Sequence, residues 1–284
     1  MAETVELVLG TAQLAQPYGV LARANTSALS QQIDLIRLAE SLRVVAIDTS
    51  PVYGGAEKAI GASGTQLEIH TKCHPNLSVE ESIQMSMDSL RRDTLDIVYL
   101  HESLERSHEA RRKLQGLAEH VGYGVGAVGA SVYEVDEFLL ALDTPEVSVI
   151  QVPVSILDRR FAETGLLDRA ANLGKKVFAR SVLLQGLLAA DSGELPSALA
   201  SLRPYLDKVG DIADRNGVSR ICLALSYVKR LPGLSGIIVG ASSAFELEVV
   251  ASEFLCSIQG EVLDLVEQVE AAPWDLVDPR KWSR

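Results

Sequence analysis

VVAIDTSPVYGGAEKAIG, residues 44–61, is the stretch of sequence that decides the fold. A short apolar, β-branched run ends at Asp48, a turn rich in Pro and Gly carries Tyr53, and a helix-forming segment follows from Ala56. This order predicts a strand, a loop and a helix, which together make one βα unit. It also predicts that an acid and a phenol lie at the carboxyl end of the strand, the edge at which parallel α/β folds bind ligands.

The same alternation of strand and helix patterns continues along the chain. Eight short apolar segments are predicted strands, at residues 5–12, 44–49, 67–72, 97–101, 125–131, 147–154, 176–182 and 236–240. Helical periodicity predicts helices at residues 27–41, 56–60, 79–91, 109–119, 134–142, 164–172, 199–216, 220–229, 245–253 and 261–269. Eight βα units in about 250 residues match a closed (β/α)8 TIM barrel of the α/β class. No linker-like segment interrupts the series, so we expect a single domain over residues 1–284, with a C-terminal helix and tail at residues 259–284.

Composition excludes several classes of partner. The 284 residues carry a net charge of −12 and no long Lys/Arg run, which argues against nucleic acid and against an anionic membrane. No apolar run approaches the ~20 residues of a membrane span, and the N-terminus lacks the pattern of a leader peptide. Three cysteines fit a reducing compartment better than a disulfide framework. We expect a cytoplasmic protein, and the sequence leaves its oligomeric state open.

Two patterns in the sequence resemble ligand-binding motifs, but neither has the spacing or position that binding requires. Cys73, Cys222 and Cys256 have no metal-like spacing, and the histidines near Cys73 do not have the spacing of a zinc site, so no metal site is predicted. Residues 124–129 read G-x-G-x-x-G, but they lie within an apolar strand that follows a helix. A dinucleotide-binding loop follows a strand and opens a helix instead. We therefore expect these glycines to serve packing.

Three predicted strands end in side chains that can carry chemistry. Asp48, Lys72 and His101 end the second, third and fourth strands, and Tyr53 lies in the loop after the second. The carboxyl ends of the strands of a parallel barrel meet at one rim, and active sites of such barrels occupy that rim. The four side chains are therefore predicted to converge.

Strand alternation predicts which side chains point into the barrel. Because strand residues alternate with period two, Glu68, His70 and Lys72 share one face, while the apolar residues between them share the other. Helices should cover the apolar face. The polar face then points inward, and we expect His70 to be a hydrogen-bonded residue of the barrel interior.

Together the four side chains at the rim could transfer a proton to a carbonyl oxygen. A phenol has a reference pKa of about 10, too high for ready acid–base work near neutrality. An adjacent ammonium lowers that pKa, and a carboxylate keeps the ammonium charged and in place, so Tyr53, Lys72 and Asp48 form a working set. His101 could donate a hydrogen bond to the oxygen on which negative charge develops. Because no side chain supplies hydride, a nicotinamide cofactor is required.

Four motifs resemble those of the aldo-keto reductases, NADP-preferring oxidoreductases built on this barrel. They are GTAQ at 10–13, DTSPVYGGAE at 48–57, TK at 71–72 and YLH at 99–101, in the order of that family. The resemblance implies that Tyr53 is the general acid/base, that Lys72 and Asp48 tune it, and that His101 orients a small carbonyl substrate. YGVLARAN near the start, DRRF at 158–161 and LQG further on are similar to a bacterial branch associated with carbohydrate pathways, which implies a sugar-like aldehyde or ketone.

The resemblance also implies a set of cofactor-binding residues, with NADP as the cofactor. Ser131 and Gln151 would hold the nicotinamide carboxamide, and Arg180 would replace a tyrosine that stacks on the nicotinamide. The segment from Arg180 onward would hold the pyrophosphate, and Ser242 and Ser243 would open a cradle for the adenosine phosphate. The full predicted set is Gly10, Thr11, Ser131, Gln151, Arg180, Ser181, Leu183, Gln185, Gly186, Gly240, Ser242, Ser243 and Glu246.

Glu246 has two interpretations. Glu246 and Val250 stand where the family commonly has a basic residue and an asparagine for the 2′-phosphate and the adenine. An acid there can bind a ribose hydroxyl, which favours NAD as the alternative cofactor. Ser243 to Glu246 also reads S-x-x-E, a capping box, and this explains the acid by structure alone. We expect the capping interpretation to hold.

The predicted enzymatic function and the role of the C-terminal tail each have an alternative interpretation. The chain could be a regulatory or redox-sensing subunit that binds nicotinamide nucleotide with little turnover. The complete set at the rim speaks against this, whereas Val132 and Val250, at positions where the family usually has asparagine, leave room for it. Trp274 and Trp282 could line a substrate pocket or dock the tail, and we expect docking.

Overall fold

The computed structural model describes residues 5–20, 27–101, 108–190 and 195–282. Its strands are β1 (Glu6–Gly10), β2 (Ala46–Asp48), β3 (Glu68–Lys72), β4 (Leu95–Leu100), β5 (Val125–Ser131), β6 (Val149–Pro153), β7 (Lys176–Arg180) and β8 (Gly236–Gly240). All of them pair in parallel and in chain order, and β8 pairs with β1 to close the barrel. The predicted (β/α)8 TIM barrel is confirmed.

Helices follow the strands and cover the outside of the barrel. They are α1 (Leu29–Ser41), α2 (Ala56–Ser63), α3 (Val79–Leu90), α4 (His108–Glu119), α5 (Val135–Asp143), α6 (Leu166–Asn172), α7 (Arg203–Arg215), α8 (Arg220–Arg230), α9 (Ala244–Leu255), α10 (Gly260–Glu267) and α11 (Trp274–Val277). Both α7 and α8 lie between β7 and β8, whereas α10 and α11 belong to the C-terminal tail. Among the helices of the described ranges, none has the length and apolar character to cross a bilayer.

The predicted elements differ from the observed ones mainly at their ends. β2 begins at Ala46 rather than residue 44, because its pairing with β1 begins where Ala46 lies opposite Val8. The predicted helix at residues 199–216 is divided into a 3-10 segment, Ser197–Leu202, and α7. Pro204 lies in the first turn of α7, a position that tolerates a residue without an N–H group.

The barrel interior is filled by large side chains from alternate strands. Tyr99 and Phe178 are fully buried there, and the His70 ring lies between them, with ring centroids 6.3 and 5.1 Å away. The predicted inward orientation of His70 is therefore confirmed. Among the described residues neither ring nitrogen has a protein hydrogen-bond partner, and the contact of Nε2 with Glu68 is 3.7 Å long, so the predicted hydrogen bonding of His70 stays a prediction.

Glycines in the strands make room for these rings. A Cβ atom on Gly129 would lie 2.3 Å from Cδ1 of Tyr99, and one on Gly236 would lie 2.7 Å from Cε1 of Phe178. A Cβ atom on Gly126 would meet the carbonyl oxygen of Asp96 at 2.6 Å. The packing interpretation of the G-x-G-x-x-G at residues 124–129 is confirmed, because added Cβ atoms at Gly126 and Gly129 would overlap atoms of the neighbouring strand.

The DRRF motif anchors the C-terminal tail. Arg159 is buried and donates hydrogen bonds to the carbonyl groups of Val266 and Glu267, the last turn of α10, at 2.6 and 2.9 Å. Arg160 pairs with Asp158 at 2.8 Å. These contacts give the motif a structural task that does not depend on any substrate.

The two tryptophans of the tail have docking contacts. Trp282 is buried and donates its indole N–H to the carbonyl group of Leu276 at 2.8 Å. The Lys281 ammonium lies 3.7 Å from the centroid of Trp274, and the Arg160 guanidinium lies 4.9 Å from it. Neither tryptophan lines the large cavity at the barrel mouth. The docking interpretation of the tail is confirmed.

Candidate active site

The four predicted catalytic residues lie at one rim. Asp48 and Lys72 end β2 and β3, His101 follows β4, and Tyr53 lies in the turn between β2 and α2. The Tyr53 N–H bonds the Ser50 carbonyl at 3.0 Å, and this contact holds the turn. The next residue, Gly54, has φ +61°, and a Cβ atom there would lie 3.1 Å from the Ala15 carbonyl oxygen. The turn that presents the phenol thus depends on a glycine.

A buried ion pair forms the base of the site. The Lys72 ammonium donates to both carboxylate oxygens of Asp48, at 2.8 Å each, and to the Thr49 carbonyl at 2.9 Å. The side chains are only 2 % and 8 % exposed, respectively, so water screens their charges weakly. Burial by itself would lower the Lys72 pKa, but the neighbouring Asp48 carboxylate and Tyr53 phenol raise it above the ordinary value. Lys72 is therefore charged at neutral pH.

The Tyr53 ring lies against this ion pair. The Lys72 ammonium is 5.0 Å from the ring centroid. Burial raises the Tyr53 pKa, the Lys72 charge lowers it, and the net result lies above the ordinary value. The expectation that the Tyr53 pKa is lowered overall is wrong. Burial destabilises the phenolate more than the adjacent Lys72 charge stabilises it. Tyr53 is thus protonated at neutral pH.

His101 is uncharged at neutral pH. Burial lowers its pKa to about 4, and the nearby positive charges of Lys72 and Arg180 act in the same direction. A neutral imidazole has one N–H donor and one acceptor nitrogen. It can therefore donate a hydrogen bond to a substrate oxygen without bringing a formal charge into the site.

Three of the predicted cofactor residues bind Asp48 or each other. The Gln151 amide donates to Asp48 Oδ1 at 2.8 Å, and the Ser131 hydroxyl donates to the Gln151 amide oxygen at 3.2 Å. Ser131 and Gln151 are direct neighbours across β5 and β6, which explains their contact. Both the N–H and the hydroxyl of Thr11 donate hydrogen bonds to the Asp48 backbone carbonyl, at 2.9 Å each, and these bonds help to position Asp48.

A cavity of about 730 Å³ extends from the ion pair to the beginning of α9. Asp48 and Tyr53 line one end of it, whereas Lys72 and His101 are not part of its described wall. Most of the predicted cofactor residues line the cavity, namely Gly10, Gln151, Arg180, Ser181, Leu183, Gln185, Gly186, Gly240, Ser242 and Glu246. Thr11, Ser131 and Ser243 do not line it.

The loop after β7 has an unusual backbone. Ser181, Leu184 and Gln185 have φ values of 59°, 46° and 54°, the left-handed region that residues other than glycine rarely adopt. Such strain is concentrated at ligand sites, where the surrounding structure holds it in place. Arg180 at the start of the loop stacks on Tyr133, with 3.8 Å between the guanidinium carbon and the ring centroid.

At the far end of the cavity, polar side chains bind the backbone groups that lead into α9. Ser243 caps α9 by accepting the Glu246 N–H at 3.2 Å, which confirms the cap. The Glu246 carboxylate accepts from the N–H and the hydroxyl of Ser242, at 2.7 and 2.8 Å, one residue earlier than in a standard capping box. The amide oxygen of Gln13 accepts hydrogen bonds from the N–H groups of Ala241 and Ser242, at 3.1 Å each.

Some lining residues were not predicted. They are polar or aromatic side chains of the first βα loop and apolar side chains of α8 and α9: Gln13, Gln16, Tyr18, Ile221, Phe245 and Val249. Burial raises the pKa of Tyr18, which also interacts with Arg180 and Tyr53. In the sequence, Tyr18 lies in a Pro-Tyr-Gly turn after β1, at the same rim as Tyr53, and it opens the YGVLARAN motif.

Comparisons with known proteins agree with this geometry. The sequence matches the Aldo/keto reductase family over residues 6–271. The aldo-keto reductase AKR11C1 of Bacillus halodurans, holo form, has a similar structure, with TM-score 0.79, 18 % identity and 96 % of each chain covered. The glycerol dehydrogenase AKR11B4 of Gluconobacter oxydans has TM-score 0.72 and 20 % identity, with 96 % of this chain and 94 % of that chain covered. Among curated proteins, no sequence matches this chain.

The family match, together with the ion pair and the phenol at the carboxyl rim of the barrel, identifies the class of protein as an oxidoreductase of carbonyl compounds. The family match extends over most of the strands, helices and site residues described above. This chain belongs to the aldo/keto reductase family. Members of the family generally bind a nicotinamide cofactor.

Proposed function

We propose that this protein interconverts a carbonyl compound and its alcohol, with a nicotinamide nucleotide as the hydride carrier and Tyr53 as the proton donor for reduction. The observation that supports this most is the position of the Lys72 ammonium. It binds Asp48 at 2.8 Å and lies 5.0 Å from the centroid of the Tyr53 ring. A buried cation next to a phenol at the mouth of a large cavity suits proton transfer to a substrate oxygen.

The residues of the cavity suit a dinucleotide. The strained loop at Ser181 and Gln185 and the N-terminal end of α9 both border it. Left-handed loops and helix N-termini are common phosphate-binding elements. Gln151 lies near Asp48 and would hold the carboxamide. The cofactor would supply hydride to the carbonyl carbon, chemistry that no side chain provides.

Each catalytic side chain then has a separate task. Tyr53 is protonated and donates its proton to the oxygen that becomes an alkoxide. Lys72 stabilises the phenolate that Tyr53 leaves behind, and Asp48 holds Lys72. His101, which is neutral, donates a hydrogen bond to the same substrate oxygen. Burial of the ion pair keeps these charges weakly screened.

The Glu246 contacts support NAD(H) over NADP(H), which reverses the order implied by the family resemblance. The carboxylate already occupies the N–H and hydroxyl of Ser242, groups that a 2′-phosphate would need. A phosphate would have to displace this acid and would be repelled by it, whereas a ribose hydroxyl can donate a hydrogen bond to it.

The cavity wall supports a small polar substrate. Gln16, Tyr18 and Arg180 add donors near the Tyr53 end, and such groups bind hydroxyl-rich molecules. The structurally similar protein of Gluconobacter oxydans is a glycerol dehydrogenase. We therefore place hydroxylated aldehydes and ketones first among substrates.

A panel assay tests this function. The purified protein is incubated with NADH or NADPH and a series of hydroxylated aldehydes, and cofactor oxidation is followed by absorbance. Steady oxidation with at least one member of the panel is expected. Tight nucleotide binding by fluorescence, with no turnover on the panel or on alcohols in the reverse direction, would instead favour the regulatory or redox-sensing subunit.

A further inference from the structure

Two cysteines and a glutamate converge between α8 and α9, away from the catalytic rim. The Sγ atoms of Cys222 and Cys256 and a carboxylate oxygen of Glu253 all lie within 4.8 Å of one another. Neither cysteine is in a disulfide. Thiolate and carboxylate groups at such separations are the donors that Zn²⁺ prefers.

The two helices position the three donors by different means. Cys222 lies in the first turn of α8, where the Ser219 hydroxyl accepts its N–H at 2.9 Å, and its side chain is buried. Glu253 and Cys256 lie three residues apart at the end of α9, a spacing that places them on the same face of a helix. The Cys256 N–H bonds the Glu253 carbonyl at 3.2 Å, which keeps Cys256 in register with the last turn.

The charges around the three donors can be balanced. The C-terminal end of α9 carries a partial negative charge. The Lys229 ammonium is bound to the carbonyl groups of Phe254 and Cys256 at this helix end. Two thiolates and one carboxylate around Zn²⁺ leave one negative charge, and Lys229 balances it.

We propose that Cys222, Glu253 and Cys256 are the protein ligands of a Zn²⁺ site that joins α8 to α9. Glu253 and Cys256 are partly exposed, so the ion has a path from solvent and water fills the fourth position. Coordination releases the two thiol protons to the buffer. The chemistry at the barrel mouth does not involve this site.

The site shares its two helices with the α9 end of the cavity. Ile221, next to Cys222, lines the cavity, and so do Val249 and Val250, one turn before Glu253. An ion that ties the two helices together would therefore make this part of the wall more rigid. The full chain is expected to gain thermal stability on binding, because the metal binds the folded state preferentially.

Co²⁺ titration under a non-thiol reductant tests the proposal directly. Thiolate ligands give Co²⁺ intense near-ultraviolet charge-transfer bands, and a tetrahedral site adds visible bands. We expect one equivalent of Co²⁺ to saturate these bands and Zn²⁺ to abolish them. The Cys73→Ser variant, which keeps all three ligands, should give the same spectrum. Absence of charge-transfer bands in the wild-type protein would overturn the proposal.

Ligand variants add a second, independent readout. Cys256→Ser changes a partly exposed side chain and should fold normally, which its metal-free melting temperature checks. It should lose the charge-transfer bands, and Glu253→Gln should weaken Co²⁺ affinity by an order of magnitude or more. Zn²⁺ should raise the melting temperature of wild type and Cys73→Ser but not of Cys256→Ser. Equal spectra for wild type and Cys256→Ser, or a Cys222–Cys256 disulfide in the reduced sample, would refute the site.

Discussion

The buried Lys72 ammonium is the neighbour that most changes the behaviour of the Tyr53 hydroxyl. Burial holds the Tyr53 pKa above its ordinary value, and Lys72 opposes this through its positive charge. The phenol is therefore protonated at neutral pH, and in the proposed reaction Lys72 would stabilise the phenolate left after proton donation. Donation and stabilisation are separate tasks, and two substitutions separate them.

Tyr53→Phe should lower the turnover number by about 10²–10⁴-fold, because it removes the proton donor and leaves the cavity wall in place. The dissociation constant for nucleotide should change little. Tyr205→Phe, a half-buried tyrosine of α7, is the matched control and should keep full activity. Steady-state kinetics and fluorescence titration measure the two quantities, and unchanged turnover in Tyr53→Phe would contradict the role of the phenol.

Lys72→Met should raise the Tyr53 pKa further, because a cation that favours the phenolate is lost. In the oxidation direction the phenolate accepts the proton, so the rise of activity with pH should move to higher pH. Lys208→Met removes an exposed lysine of α7 and should leave the profile where it is. The measurement is the pH dependence of alcohol oxidation. A profile that Lys72→Met does not move would refute the tuning role.

Glu246→Arg should strengthen NADPH binding relative to NADH, since it removes the acid from Ser242 and offers a cation to the 2′-phosphate. Glu248→Arg makes the same change of charge on an exposed residue of α9 that the cavity does not include. Comparison of both variants by fluorescence titration separates a local contact from general attraction. An equal gain in the two variants would leave Glu246 with its structural role alone.

Strand glycines determine how the barrel interior packs. Gly129→Ala would place a Cβ atom 2.3 Å from the ring of Tyr99 and should cost about 1–3 kcal/mol of unfolding free energy through overpacking. Gly260→Ala, at the start of α10 with no atom within 4 Å of the added carbon, should be close to neutral. Chemical denaturation of both variants measures the difference. If both variants lose the same stability, the ring contact is not the cause.

Strand positions could be predicted from the sequence, whereas side-chain hydrogen bonds and pKa values could not, and the difference has a physical reason. Strand alternation follows from backbone geometry alone, so Asp48, Lys72 and the inward face of β3 are predictable from a single sequence. The hydrogen-bond partners of Glu246 and Gln13 depend on rotamers that the packed fold selects, and the sequence does not show them. The net pKa of Tyr53 depends on burial, which is a property of the whole barrel.

The stability of the whole barrel should depend on pH through His101. Its pKa is about 4 in the folded chain, whereas an unfolded histidine titrates near about 6.5. The unfolded state therefore binds more protons between these values, so the unfolding free energy should fall as pH is lowered from 7 to 5. His101→Asn should make this slope shallower, as measured by chemical denaturation. Parallel slopes for both proteins would exclude His101 as the cause.

Sequence pattern alone is sufficient to predict the eight strands, the barrel and the convergence of Asp48, Tyr53, Lys72 and His101, because periodicity and strand ends are local properties of the chain. Only the folded chain brings Cys222 to Glu253 and Cys256, and only there does Glu246 accept from Ser242. Contacts between distant segments arise from the packing of α8 against α9 and from the conformation of the turn before α9. No local spacing records them, because many different sequence separations can lead to the same proximity once a barrel closes.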